Sequence, residues 1–121
     1  MKKILLLDDN DDYLEILELV LGKKYKVRSS TDIKELSQIL IEFDPDLILI
    51  DHFLGLHTST YILDHLHPTD GKKSMPFILF SGVHEIEKRA EEIGATGFIS
   101  KPSSVDHIRK YIDDFFKYRF K

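Results

Sequence analysis

The chain has 121 residues, the size of one domain and enough to bury a hydrophobic core. Its net charge of −4 gives no basic footprint for nucleic acid, and the absence of cysteine excludes disulfides and thiolate metal sites. A hydrophobic content of 42% and a charged content of 31% are typical of a globular protein. No apolar run is long enough for a signal peptide or a transmembrane helix, so we expect a cytoplasmic protein with no membrane partner.

Strand and helix patterns alternate along the first half of the chain. The predicted elements are, in order, a strand at 4–7, a helix at 11–21, a strand at 25–28, a helix from Ser30 or Thr31 to Phe43 and a strand at 47–51. Asp9 or Asn10 is the expected N-cap of the first helix, and Gly22 is its expected end. The strand at 47–51 is apolar until its last residue, Asp51, and therefore predicts a strand buried on both faces of a parallel sheet.

The second half continues the same alternation. Its predicted elements are a loop through Gly55, a helix near 59–66, a polar surface connection at 67–74, a strand at 77–80, a helix at 86–93, a strand at 97–100 and a helix from about Ser104. The core-facing residues of the last helix are predicted to be Val105, Ile108, Ile112 and Phe115. Five β-α units predict one doubly wound α/β domain over residues 1–121, with helices on both faces of a parallel sheet.

Polar residues collect where the predicted strands end. These residues are Asp8, Asp9, Asp51, Ser81 and Lys101. All carboxyl ends of a parallel sheet lie along one edge, where such folds hold their ligands. Crowded carboxylates repel unless a cation neutralises them, and an all-oxygen donor set selects a hard cation, most simply Mg²⁺. A lysine and a serine hydroxyl opposite the carboxylates are suited to phosphoryl oxygens.

This arrangement resembles the receiver domain of response regulators in two-component (phosphorelay) signalling, and in particular a single-domain chemotaxis regulator. The likeness rests on Asp8-Asp9 after the first strand, Asp51 after the third, Ser81 after the fourth and Lys101-Pro102 after the fifth. It covers essentially the whole chain. It implies a flavodoxin-like (βα)5 three-layer sandwich with a five-stranded parallel sheet of order 2-1-3-4-5.

The resemblance also implies a chemistry. Asp51 would accept a phosphoryl group from a histidine kinase or a histidine phosphotransfer protein in a Mg²⁺-dependent reaction. Asp9, Asp51 and the backbone carbonyl of Phe53 would bind the metal directly, and Asp8 would act mainly through water. Lys101 would pair with the acyl phosphate. The protein would catalyse only its own phosphorylation and dephosphorylation, with no separate substrate.

Phosphorylation is expected to change how the protein binds its partners. By the resemblance, Ser81 would shift toward the phosphoryl group and Phe98 would occupy the position of a rotating aromatic switch. We expect a downstream protein partner, or a weak homodimer, on the fourth predicted helix, the fifth strand and the last helix. Tyr111 and Tyr118 lie seven residues apart on that helix and fall on one edge of it, and the alternative is that both rings simply pad the core margin.

The side chains two positions after Asp51 and two after Ser81 are expected to tune the lifetime of the phosphorylated state. They are Phe53 and Val83, and neither has a hydrogen-bonding atom that could orient an attacking water. We therefore expect a long-lived phosphoryl group.

Two other classes of function stay open. A degenerate receiver would act as a constitutive protein-interaction module. A phosphohydrolase resembling the haloacid dehalogenase family would need a second acid at position 53, where this chain has phenylalanine. The six histidines fit no standard zinc spacing.

Overall fold

The computed structural model describes residues 1–8, 10–31, 35–51, 76–81, 95–100 and 104–119, and for Ser81 and Arg119 it describes the backbone alone. The helices predicted near 59–66 and 86–93, and the surface connection predicted at 67–74, lie outside the described residues. Within the described ranges, no helix combines the length and the apolar character needed to cross a membrane.

Five parallel strands form one sheet. They are β1 (Lys3–Leu7), β2 (Lys26–Ser30), β3 (Leu47–Asp51), β4 (Phe77–Ser81) and β5 (Gly97–Ser100). Their order is β2-β1-β3-β4-β5, which confirms the predicted order. The central strand β3 is buried along its full length, as its continuous apolar sequence predicts.

Helix α1 spans Asp11–Leu21 and its ends match the sequence signals. Asn10 is the N-cap, and its side-chain oxygen accepts a hydrogen bond from the backbone N–H of Tyr13 at 3.2 Å. Gly22 is the C-cap, and its N–H donates to the carbonyl of Glu18 at 2.8 Å. The predicted leucine stripe of α1 is buried, so one face of this helix packs against the sheet.

Helix α2 spans Leu36–Phe43 and follows Glu35, which is its N-cap. The prediction that Ser30 or Thr31 would cap this helix is wrong. Ser30 is instead the last residue of β2, because it pairs with Leu7 in the parallel ladder. The helix ends at Asp44, whose φ of 49° lies in the left-handed region that aspartate tolerates better than most residues.

The third described helix, here called the C-terminal helix, spans Val105–Arg119. Ile108, Ile112 and Phe115 are buried and Val105 is half-buried, which confirms its predicted core face. These residues share a core cluster with α1 and alternate residues of the sheet. Helix α2 covers a second cluster built from the other alternate residues, such as Leu5. The sheet therefore lies between helical layers, with its carboxyl edge left at one end.

Candidate functional site

Strand register brings the predicted carboxylates to one level of the sheet. Leu7 of β1 pairs with Ile50 of β3, so the residues that follow each of them, Asp8 and Asp51, are neighbours on adjacent strands. Asp8 is also tied to β2, because its backbone N–H donates to the carbonyl of Ser30 at 3.3 Å. The two carboxylates are thus placed by the pairing of β1 with β3 and by the backbone hydrogen bond from Asp8 to β2.

Both carboxylates are buried and belong to the same face of the sheet. Asp8 is 3% exposed and Asp51 is 4% exposed. Asp8 lies two positions after Leu6, and Asp51 lies two positions after Leu49. Both leucines belong to the cluster covered by α1 and the C-terminal helix, and strand side chains repeat every second residue. Two buried carboxylates side by side repel each other, and a bound cation would neutralise that repulsion, so this arrangement favours cation binding.

The start of α1 is built around Asp8. The backbone N–H of Asn10 donates to the Asp8 carboxylate at 3.0 Å, which turns the chain from β1 into the helix. Tyr13, in the first turn of α1, stacks on Phe80 of β4 with ring centroids 5.6 Å apart. Burial, together with the negative charge of Asp8, raises the pKa of Tyr13 to about 12. Tyr13 therefore remains protonated beside the carboxylates at neutral pH.

Sequence reasoning missed Tyr13 and the direct contact of Asn10 with Asp8. The only available signal for Tyr13 was an aromatic residue in the first helical turn, next to the leucine stripe. Its contact with Phe80 joins residues 67 positions apart and depends on the strand order.

The remaining predicted site residues differ in how far the structure describes them. Ser81 ends β4 and pairs with Ser100, the residue before Lys101, and Asp51 pairs with Phe80, one position earlier. Ser81 and the end of β5 thus continue the same edge. Phe98 is half-buried in β5 and packs against Leu79 of β4. The predicted residues Asp9, Phe53, Val83 and Lys101 lie outside the described residues.

The donor atoms of this edge fit a hard cation better than a transition metal. Asp8 and Asp51 supply carboxylate oxygens, and the sequence contains no cysteine. Among the described residues, no group of three or more histidine, cysteine or acidic side chains is arranged to hold a metal ion. The third predicted carboxylate, Asp9, is outside this part of the chain, so the described donor set consists of two adjacent buried carboxylates.

Comparison with known proteins identifies the family. A family model described as the response regulator receiver domain matches residues 4–113. The chain is 27% identical over 112 residues to the response regulator protein PilR of Pseudomonas aeruginosa, covering 92% of this chain and 25% of PilR. It is 24% identical over 114 residues to the chemotaxis protein CheY of Halobacterium salinarum, covering 93% of this chain and 95% of CheY.

A solved structure agrees with the fold. A response regulator from Desulfuromonas acetoxidans superposes with a TM-score of 0.83 at 19% identity, covering 98% of this chain and 99% of that one. The chain therefore spans a quarter of PilR and nearly all of CheY. Receiver domains interact with histidine kinases and are typically signalling modules rather than enzymes. The sheet order, the carboxylate edge and the family match together show that this chain belongs to the response regulator receiver domains of two-component signalling.

Proposed function

We propose that the chain, as a single receiver domain over residues 1–121, is a phosphoryl-accepting switch with Asp51 as the acceptor. The observation that carries the proposal is the burial of Asp51 at the end of the central strand, level with the buried Asp8. A carboxylate fixed in this way is suited to be a nucleophile toward phosphorus, because positioning supplies much of what phosphoryl transfer requires.

The proposed reaction is a transfer between a phosphohistidine and Asp51. A carboxylate oxygen of Asp51 forms a bond to phosphorus while the phosphorus–nitrogen bond of the donor breaks, and the released imidazole takes up a proton. Lys101 pairs with the phosphoryl oxygens, and the hydroxyl of Ser81 donates a hydrogen bond to one of them. Asp9, Asp51 and the carbonyl of Phe53 would hold Mg²⁺, with Asp8 acting through water. When bound, the metal neutralises negative charge on the carboxylates and on the phosphoryl group.

Mass spectrometry after incubation with Mg²⁺ and acetyl phosphate tests the acceptor. We expect one added phosphoryl group on the wild type and none on Asp51→Asn. Asp44→Asn is the matched control, because it makes the same change of charge at an exposed position where asparagine also tolerates the left-handed backbone. Equal labelling of the Asp51→Asn protein would exclude Asp51. A folded wild type that accepts no phosphoryl group from any donor would instead favour the constitutive interaction module.

For output, we propose a protein partner on β5 and the C-terminal helix, with the predicted fourth helix completing the surface. Tyr118 is 64% exposed, whereas Tyr111 is half-buried against the core, so the two rings differ in their surroundings. A cavity of about 260 Å³ lies between them, lined also by Thr96 and Phe115. Tyr118→Ala should weaken partner binding or weak self-association without changing thermal stability. If binding is unchanged in both phosphorylation states, the partner surface lies elsewhere.

Phosphorylation is proposed to reach this surface through Phe98. The Phe98 ring is half-buried and packs against Leu79. A rotation of this ring would change the surface that β5 offers to a partner. Phe98→Ala should uncouple partner affinity from phosphorylation while Asp51 is still labelled at the wild-type rate.

A further inference from the structure

A lysine-rich surface lies at the end of the sheet opposite Asp51. Lys2 precedes β1, and Lys24 and Tyr25 precede β2, so all three are at the amino edge of these strands. A strand rises about 3.3 Å per residue, which places Lys2 about 20 Å from Asp8. The proposed phosphoacceptor site therefore does not account for this surface.

These residues and the C-terminal helix line an open surface pocket of about 570 Å³. In the part of the chain that the structure describes, its charged lining residues are Lys2, Lys24, Lys110, Lys117, Asp113 and Asp114. The chain as a whole carries a net charge of −4, yet among the described residues that line this pocket lysines outnumber aspartates four to two. The volume lies within the range of small-molecule sites, which is about 300–1,000 Å³.

One of the two aspartates is already engaged by the protein. Asp113 accepts a hydrogen bond from the hydroxyl of Tyr25 and forms an ion pair of 3.3 Å with the ammonium group of Lys24. Tyr25 is also in contact with Phe116, at 5.4 Å between ring centroids, so the aromatic side of the pocket is fixed by packing. This network joins the α1–β2 turn to the C-terminal helix and holds the Lys24 ammonium group beside the pocket.

The C-terminal helix contributes two further lysines, Lys110 and Lys117, and one carboxylate, Asp114. Lys110 makes no ion pair with any residue in the described part of the chain, and the ammonium group of Lys117 lies 5.4 Å from the ring centroid of Tyr118. Ammonium groups are compact point charges with three donors each, and are well suited to phosphate oxygens. The pocket is of a size that suits a compact ligand. A standard protein interface is much larger and buries about 800 Å² on each partner. A net negative chain also disfavours long nucleic acids.

We propose that this pocket binds a compact oligoanion with two or more phosphate groups. The source is either a free metabolite or the headgroup of a phosphoinositide-like lipid, since both present the same chemistry. Lysines of the α1–β2 turn and of the C-terminal helix contact different phosphate oxygens, so the charge is bound in a defined geometry. The site is distinct from the Asp51 edge and operates in the absence of Mg²⁺.

Inorganic tripolyphosphate is the probe for a free ligand, titrated without Mg²⁺ while backbone amide resonances are followed by NMR. We expect saturable shifts at Lys24 and Phe116, and a rise in the thermal midpoint with ligand concentration. Lys110→Gln should weaken binding about tenfold, the effect of one charge-assisted hydrogen bond. Lys23→Gln is the matched control, because Lys23 is exposed, does not line the pocket and makes the same change of charge. The Asp51→Asn protein should bind as the wild type does.

A sedimentation assay separates the two sources. Vesicles of phosphatidylcholine containing phosphatidylinositol bisphosphate are compared with vesicles of phosphatidylcholine alone. Binding to the first kind, lost in Lys110→Gln, assigns the pocket to a lipid headgroup, whereas tripolyphosphate binding without sedimentation assigns it to a free oligophosphate. Absence of both, or equal weakening by Lys23→Gln and Lys110→Gln, would overturn the proposal.

Discussion

Gly97, the first residue of β5, is expected to tolerate no side chain while Tyr111 keeps its present place. A Cβ atom built on Gly97 would lie closer than 3.0 Å to the hydroxyl oxygen of Tyr111 and 3.3 Å from the ring carbon that bears it. Gly97 is an ordinary paired residue of the ladder, opposite Ile78. The requirement for glycine therefore comes from the tyrosine hydroxyl that packs on it.

The cost of Gly97→Ala can be estimated from this geometry. Overpacking costs about 1–3 kcal/mol, and the low end of that range applies here because the half-buried Tyr111 borders the cavity that it shares with Tyr118; removal of a strand glycine returns about 0.5–1 kcal/mol. We expect a net destabilisation of at most about 2.5 kcal/mol, which lowers the thermal midpoint by at most about 10 °C in a domain of this size. Tyr111→Phe removes the clashing oxygen and leaves a ring carbon that must move by only a few tenths of an ångström.

A double-mutant cycle measured by urea unfolding tests this reasoning. Gly97→Ala should be destabilising alone and close to neutral in the Tyr111→Phe background, with a coupling energy of about 1–2 kcal/mol. Gly22→Ala serves as a comparison, because its Cβ would meet the backbone carbonyl of Glu18, which no side-chain substitution can relieve. If Gly97→Ala costs the same free energy with and without the Tyr111 hydroxyl, the packing argument is refuted.

Three further predictions concern the proposed phosphoacceptor edge. The pKa of Tyr13 is about 12 in the folded state and about 10 in the unfolded state, so the unfolded state loses its proton first and the free energy of unfolding should fall between pH 10 and 12. Tyr13→Phe should flatten this fall, whereas Tyr118→Phe, at an exposed position, should not. Asp9→Ala should abolish the Mg²⁺ dependence of labelling, measured by mass spectrometry across a Mg²⁺ titration, and an unchanged midpoint would remove Asp9 from the metal site. Phe53→Asn or Val83→Glu should speed the decay of phospho-Asp51 once the donor is removed, because each adds an atom that can orient water; equal decay rates in wild type and both variants would show that something else sets the lifetime.

The order of the described strands and helices, and the edge on which function is expected, were predictable from sequence. The apolar run that ends on Asp51 predicts a strand buried on both faces, and the structure confirms it. The stripe through Ile108 and Ile112 and the cap at Asn10 are local patterns of the same kind. Each of these features depends on residues within one or two helical turns or within one strand. They can therefore be predicted from the sequence alone.

The tertiary structure decided which residues from distant parts of the sequence pair or come into contact. Ser30 could have capped a helix by its residue type, but pairing with β1 made it the end of β2, and ladder hydrogen bonds outweigh a local cap preference. Tyr111 and Gly97 are coupled because the C-terminal helix packs on β5, and Tyr25 meets Asp113 across 88 positions of sequence. No pattern in the sequence records these contacts, because each depends on how the helices lie on the twisted sheet rather than on the propensity of either residue.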